Sequence, residues 1–264
     1  ANGVGKVSDI TTTGGAASAN SNNGGAAGAI TITTGTNNVI TLDSSTLTAA
    51  GGTSSGGTAG AGATINFDDP VSLAVGAVVI TTGATAGNIT FDQTVNGAQT
   101  LALTAGTGNI TFTGVVGGTT ALGAVTVNLA ANVTTSAAFS SAGFNQAVTG
   151  TGTTQIGGLL TSTGAVTLET VTIDLNAGIT TTAGAGAGLV TLTASTLVDL
   201  AGGSTITTTA TATANDTVIS GAVDINVSGT GTVNLVGEIV TTGDTSNSAA
   251  AAGGAVTIDT ANGV

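Results

Sequence analysis

Histidine, cysteine, methionine, tryptophan and tyrosine are absent from this chain of 264 residues, and Lys6 is its only basic side chain. Without histidine or cysteine there is no ordinary zinc, haem, iron–sulfur or copper site, no Ser-His-Asp triad and no thiol nucleophile. One lysine and no arginine leave nothing to neutralise phosphates, which excludes DNA and RNA as partners. Long apolar runs are missing too. The longest, residues 71–80, has ten residues including Ser72 and Gly76, against the ~20 that a membrane-spanning helix needs. No membrane insertion of this segment is expected. The chain starts at Ala1 without a methionine or a signal peptide and is read as a processed form or an excised piece. The lack of cysteine fits an extracellular product.

Disorder is the first alternative for a chain with 44 Gly, 57 Thr and 18 Ser. Against it stand 41% hydrophobic residues, a mean hydropathy of +0.50 and a single proline, Pro70, because disordered chains are poor in β-branched residues and rich in proline. Valine, isoleucine and threonine favour strands, since a branched Cβ suits the pleated backbone. Glycine compounds their resistance to helix. The class is all-β.

A word recurs along the chain: glycine, a small or polar residue, a β-branched residue, threonine, an apolar residue. It reads Gly28-Ala29-Ile30-Thr31-Ile32, Gly87-Asn88-Ile89-Thr90-Phe91 and Gly108-Asn109-Ile110-Thr111-Phe112. Further copies begin at Gly62, Gly123, Gly164, Gly188 and Gly254. Each word alternates, so Ile110 and Phe112 face one side and Thr111 and Thr113 the other. The glycine is read as supplying positive φ at a tight corner. Intervals of 21 to 24 residues suit one coil of a parallel β-solenoid, and at ~22 residues the chain makes about twelve coils with strands ~4.8 Å apart. Phe67, Phe91 and Phe112 are expected to form an internal stack, and Asn88 and Asn109 an amide ladder at a corner. The whole chain, 1–264, is read as one solenoid repeat domain with low-complexity loops, 14–28 and 243–254, that project. The alternative architecture is a β-sandwich subunit that donates a strand to its neighbour.

The two ends resemble each other. Ala1-Asn2-Gly3-Val4 recurs as Ala261-Asn262-Gly263-Val264, and the word at Gly28 recurs at Gly254. Such duplication is expected of a chain cut from a longer array, or of ends made to stack on one another.

Other motifs are weak. Five N-glycosylation sequons, at Asn88, Asn109, Asn132, Asn215 and Asn226, are about what the composition gives by chance. The formal charge of −12 arises from 11 Asp and 2 Glu spread along the chain. Calcium is the one cofactor the acids suggest, through Asp68, Asp69, Asp92, Asp174, Asp199, Asp224 and Asp259, but no EF-hand or β-roll calcium pattern accompanies them. No metal ligand is therefore assigned. Catalysis by Asp68, Asp69 and Asp92 would need two carboxylates at a defined separation; lacking a basic partner and aromatic sugar platforms, the chain is read as non-enzymatic, with no catalytic residue. Thr-x-Thr pairs at Thr31/Thr33, Thr111/Thr113, Thr191/Thr193 and Thr207/Thr209 are spaced irregularly. They are read as solvated strand faces rather than as flat ranks that bind ice.

The words at Gly87 and Gly108, with Thr94-Val95-Asn96-Gly97-Ala98 between them, make the chain resemble the β-strand-repeat passenger regions of filamentous-haemagglutinin-like exoproteins and autotransporter adhesins. The resemblance covers most of residues 28–264 and implies a right-handed parallel β-helix, export to the cell surface, and a role in adhesion or biofilm matrix. No binding residue carries over. The functional expectation is a secreted structural segment that assembles head to tail with itself into an extracellular filament or matrix fibre. An adhesin stalk touching a surface glycan or another cell, or a surface-layer subunit, is the alternative.

Overall fold

The computed structural model describes residues 5–18, 22–35, 38–43, 45–146, 150–183, 188–210, 219–243 and 251–261. Among them every regular element is a β-strand, with no helix. The chain divides into two compact units, Ala1–Ala137 and Ala138–Val264. The Ala1-Asn2-Gly3-Val4 repeat, Asn262 to Val264, Asn215 and much of the 243–254 loop lie outside the described residues.

In the first unit the strands fall into three columns, each built by parallel pairing. One column stacks Ile30–Ile32, Ile65–Phe67, Ile89–Phe91, Ile110–Phe112 and Val133–Thr135. A second stacks Gly5–Val7, Ile40–Asp43, Val71–Val75 and Val95–Asn96. A third stacks Ile10–Thr11, Thr46–Thr48, Val78–Thr81, Leu101–Thr104 and Leu122–Leu129. The second unit repeats the plan. Its columns begin at Phe139 and Phe144, both in strand Phe139–Gln146, and at Thr153–Ile156. They end at Glu238–Thr242, Val256–Thr260 and Thr232–Leu235.

Alternation explains which side is buried. Ile110 and Phe112 are enclosed while Thr111 between them is half-buried and Thr113 exposed, as the word's period of two requires. Register then places like on like. Phe67, Phe91 and Phe112 form one stack, with centroids 4.7 and 4.9 Å apart and rings within 2° of parallel, a spacing set by the strand separation itself. The stack ends on Thr135, the register partner of Phe112. In the second unit Phe144, Val166, Val190, Val223 and Val256 stack in the same way.

Four expectations need correction. Partner intervals are not uniform: they run from 19 residues, Leu160 to Ile179, to 37, Ile10 to Leu47. Among the described residues no column holds more than five strands in either unit, so twelve equal coils do not fit. Among the described residues every strand pairing is parallel, whereas a β-sandwich of this kind is built from antiparallel strands, so the sandwich alternative falls. The word glycines are not generally corners of positive φ; Gly87 is the one among them, at 152°. Elsewhere the reason is close approach: a Cβ on Gly108 would lie 2.1 Å from the Gly87 carbonyl oxygen, and one on Gly254 2.2 Å from that of Gly221.

The fourth correction concerns the 14–28 loop. Its described residues lie in register on the next excursion, with Gly14, Ala17, Gly24 and Ala27 donating backbone N–H groups to Ala50, Thr53, Thr58 and Ala61. Its outgoing and returning legs also meet, Gly25 N–H on Gly15 O at 2.8 Å, and Gly60 N–H does the same on Gly52 O. A Cβ on Gly14 would sit 1.8 Å from Gly25 O. Glycine is therefore what lets two legs of backbone pack side by side.

Candidate functional site: clasped corners and open edges

The expected Asn ladder exists and is longer than its two members. Asn88 Oδ1 accepts the Asn109 backbone N–H at 2.9 Å, and Asn109 Oδ1 accepts Asn132 Nδ2 at 2.8 Å. The three stack at one corner and hold neighbouring strands in register.

The acidic residues are dispersed over separate networks. Asp69 accepts the Thr34 backbone N–H at 2.6 Å and the Thr33 and Thr34 hydroxyls at 3.1 Å. The Thr34 N–H holds its carboxyl below the usual aspartate value. Asn66 Nδ2 donates to both Asp68 and Asp92. Asp174 and Asp199 lie in register on adjacent strands. Their charges are met by amides: Gln155 and Asn176 donate to Asp174, both at 2.9 Å, and Asn234 to Asp199 at 2.7 Å. Asp224 is opposite Thr257, and Asp259 opposite Asn226. Among the described residues no three acids converge on one point. Lys6, 69% exposed, pairs with Asp43 at 3.2 Å. No described helix is long and apolar enough to cross a membrane.

Reading the sequence missed a hydroxyl clasp. Where a strand of one column gives way to the next, a Thr donates its hydroxyl to a backbone carbonyl across the neck of the connection. Thr12 donates to Gly28 O at 2.5 Å, Thr82 to Gly87 O at 2.9 Å, and Thr181 to Gly188 O at 2.6 Å. Thr208 donates to Gly221 O at 2.6 Å, and Thr241 to Gly254 O at 2.9 Å. Thr82, Thr181 and Thr208 are fully enclosed. The same bond closes connections whose ends are 5, 7, 13 and 16 residues apart. A corner of this type ties neighbouring strands together whatever length of chain leaves it, because the neck is satisfied locally.

The outermost strands form the other feature. Gly5–Val7, Ile10–Thr11 and Ile30–Ile32 pair on one side only among the described residues. So do Thr232–Leu235, Glu238–Thr242 and Val256–Thr260. Side chains that would be enclosed one strand deeper are open there: Val256 is 46% exposed, while its register partner Val223 is fully buried. Each such strand presents a row of backbone donors and acceptors, while the apolar side chains open unevenly, Ile30 and Ile32 remaining buried.

Comparisons with family models, with curated proteins and with solved structures return no match to this chain.

Proposed function

We propose that this chain is a non-enzymatic structural protein of the cell exterior: a right-handed β-solenoid, one repeat domain in all, that stacks end to end on copies of itself to build a filament or matrix fibre. The observation that carries the reading is the pair of open edges. Both are parallel-strand edges, and a parallel edge is completed by another parallel strand at ~4.8 Å. Three columns of parallel strands, connected in the same order turn after turn, favour the solenoid, and parallel crossovers are right-handed with rare exceptions. Head-to-tail contact of unlike ends does not close on itself, so it propagates as a fibre. Export and cell-surface location rest on the resemblance to exoprotein repeats and on the cysteine-free composition. The role needs no cofactor and no nucleic acid.

Electron microscopy of the native material tests it. Filaments with a strong axial layer line near ~4.8 Å are expected. Isolated short rods at all concentrations overturn end-to-end assembly and leave a stalk that carries a binding element. Beaded filaments lacking the line overturn continuous stacking.

A further inference from the structure

In the second unit, four successive strands of one column turn threonines outward at matching positions, three in each of two ranks. Thr161, Thr180 and Thr207 are register partners and form one rank; Thr182, Thr209 and Thr242 form the next. Between the ranks Thr181 and Thr208 turn inward and spend their hydroxyls on the corner clasps. The outward six are half-buried or exposed, and their side-chain hydroxyls make no hydrogen bond among the described residues. The pairing of Ile179–Ala183 with Thr205–Ala210 runs without a bulge. The result is a grid of hydroxyl and methyl groups in register, ~4.8 Å apart between strands and roughly 6.7 Å apart along them.

The sequence spacing concealed this grid. Thr180 and Thr207 are 27 positions apart, whereas Thr161 and Thr180 are 19 apart; the corner connections differ in length and the strands do not. Irregular spacing along the sequence therefore still places threonines in register across this column. The first rank stops at Val240, the partner of Thr207, which keeps the branched shape and lacks the hydroxyl.

We propose that this threonine face binds an ordered lattice of water, namely the surface of ice. Its chemistry leaves few other occupants. No charged side chain lies within either rank; the nearest acid in register, Glu238, faces Thr205 just outside them. A phosphate or acidic polymer finds no base there. The chain has no tryptophan or tyrosine to stack on a sugar ring. A rigid two-dimensional array suits a rigid two-dimensional lattice. Threonine has few χ1 choices, and the sheet fixes the Cα positions, so little order is lost on docking. Methyl groups favour a water cage around them while the adjacent hydroxyls anchor it. The repeat along and across the strands is of the size of the oxygen repeat on flat faces of ice.

The proposal does not rest on filament formation, because the grid lies wholly within the second unit. Purified protein, kept at concentrations where it is monodisperse, is frozen as a fine-grained wafer and annealed below the melting point. Suppressed grain growth relative to buffer is the expected result, together with partition of the protein into a slowly growing ice hemisphere. Thr180→Tyr and Thr207→Tyr are expected to abolish both effects while the melting temperature stays unchanged. Ala102→Tyr, on an outward position of the first unit outside any threonine rank, is expected to keep them. Wild-type protein that neither slows grain growth nor enters ice overturns the proposal, as does a Thr207→Tyr variant as active as the wild type.

Discussion

At Ile110 the side chain is enclosed by its register partners Ile89 and Val133, while its neighbour Thr111 points outward between Thr90 and Thr134. A carboxylate introduced at these adjacent positions therefore meets opposite surroundings. Ile110→Asp buries an unpaired charge and should cost about 4 kcal/mol or more; Thr111→Asp should change stability by less than about 0.5 kcal/mol. Urea midpoints of the two variants check this, and equal shifts would refute the inward–outward assignment. Thr135 offers the reverse case. It is fully buried on the end of the phenylalanine stack, and its hydroxyl has no partner among the described residues. Thr135→Val keeps the shape and removes the orphaned donor, so the unfolding midpoint should rise, by about 1 kcal/mol. These inward and outward assignments were legible in the sequence because alternation and the repeated word carry them. The role of Gly108 was not, since a glycine excluded by a neighbouring carbonyl and a glycine of positive φ look identical as letters.

The connection between two strands is the element that sequence reading handled worst. Thr208 illustrates why. It is one of 57 threonines, and Thr207 and Thr209 beside it face water, so neither its identity nor its spacing to Gly221 marks it. Only the register, which turns Ile206 and Thr208 inward together, gives it a role. Thr208→Val retains the volume but leaves the Gly221 carbonyl without its donor. A loss of about 1–3 kcal/mol is expected, read from chemical denaturation. Thr167→Val, outward between Val166 and Leu168, should be neutral within about 0.5 kcal/mol. Comparable losses for the two would remove the clasp from the argument. The Asn ladder was half legible for a related reason. Asn88 and Asn109 share the word, while Asn132, in the third position of the stack, has no glycine before it.

Across the whole molecule, a uniform period was the wrong description because two lengths are superposed. The strands keep step, whereas the connections are free: the Thr82–Gly87 neck spans 5 residues and the Thr12–Gly28 neck 16. A chain built this way should accept insertions at one kind of place and reject them at another. Six added Gly/Ser residues between Gly184 and Ala185 lengthen the Thr181–Gly188 connection from a span of 7 to 13, the span already present at Thr208–Gly221. Loop closure then costs only about 0.6 kcal/mol, one doubling of length. The clasp is unaffected, and the urea midpoint should move little. The same six residues placed between Leu168 and Glu169 interrupt Val166–Leu175, which pairs with Val190–Leu200 along almost its full length. There the insertion displaces Ile173 and Leu175 from Val198 and Leu200, and the second unit should lose cooperative unfolding. If both insertions are tolerated alike, the corners are not privileged and the clasp does not separate loop length from the stack. If the corner insertion alone unfolds the unit, connection length is fixed by contacts beyond the clasp, and the variation in interval from 19 to 37 residues requires a different cause.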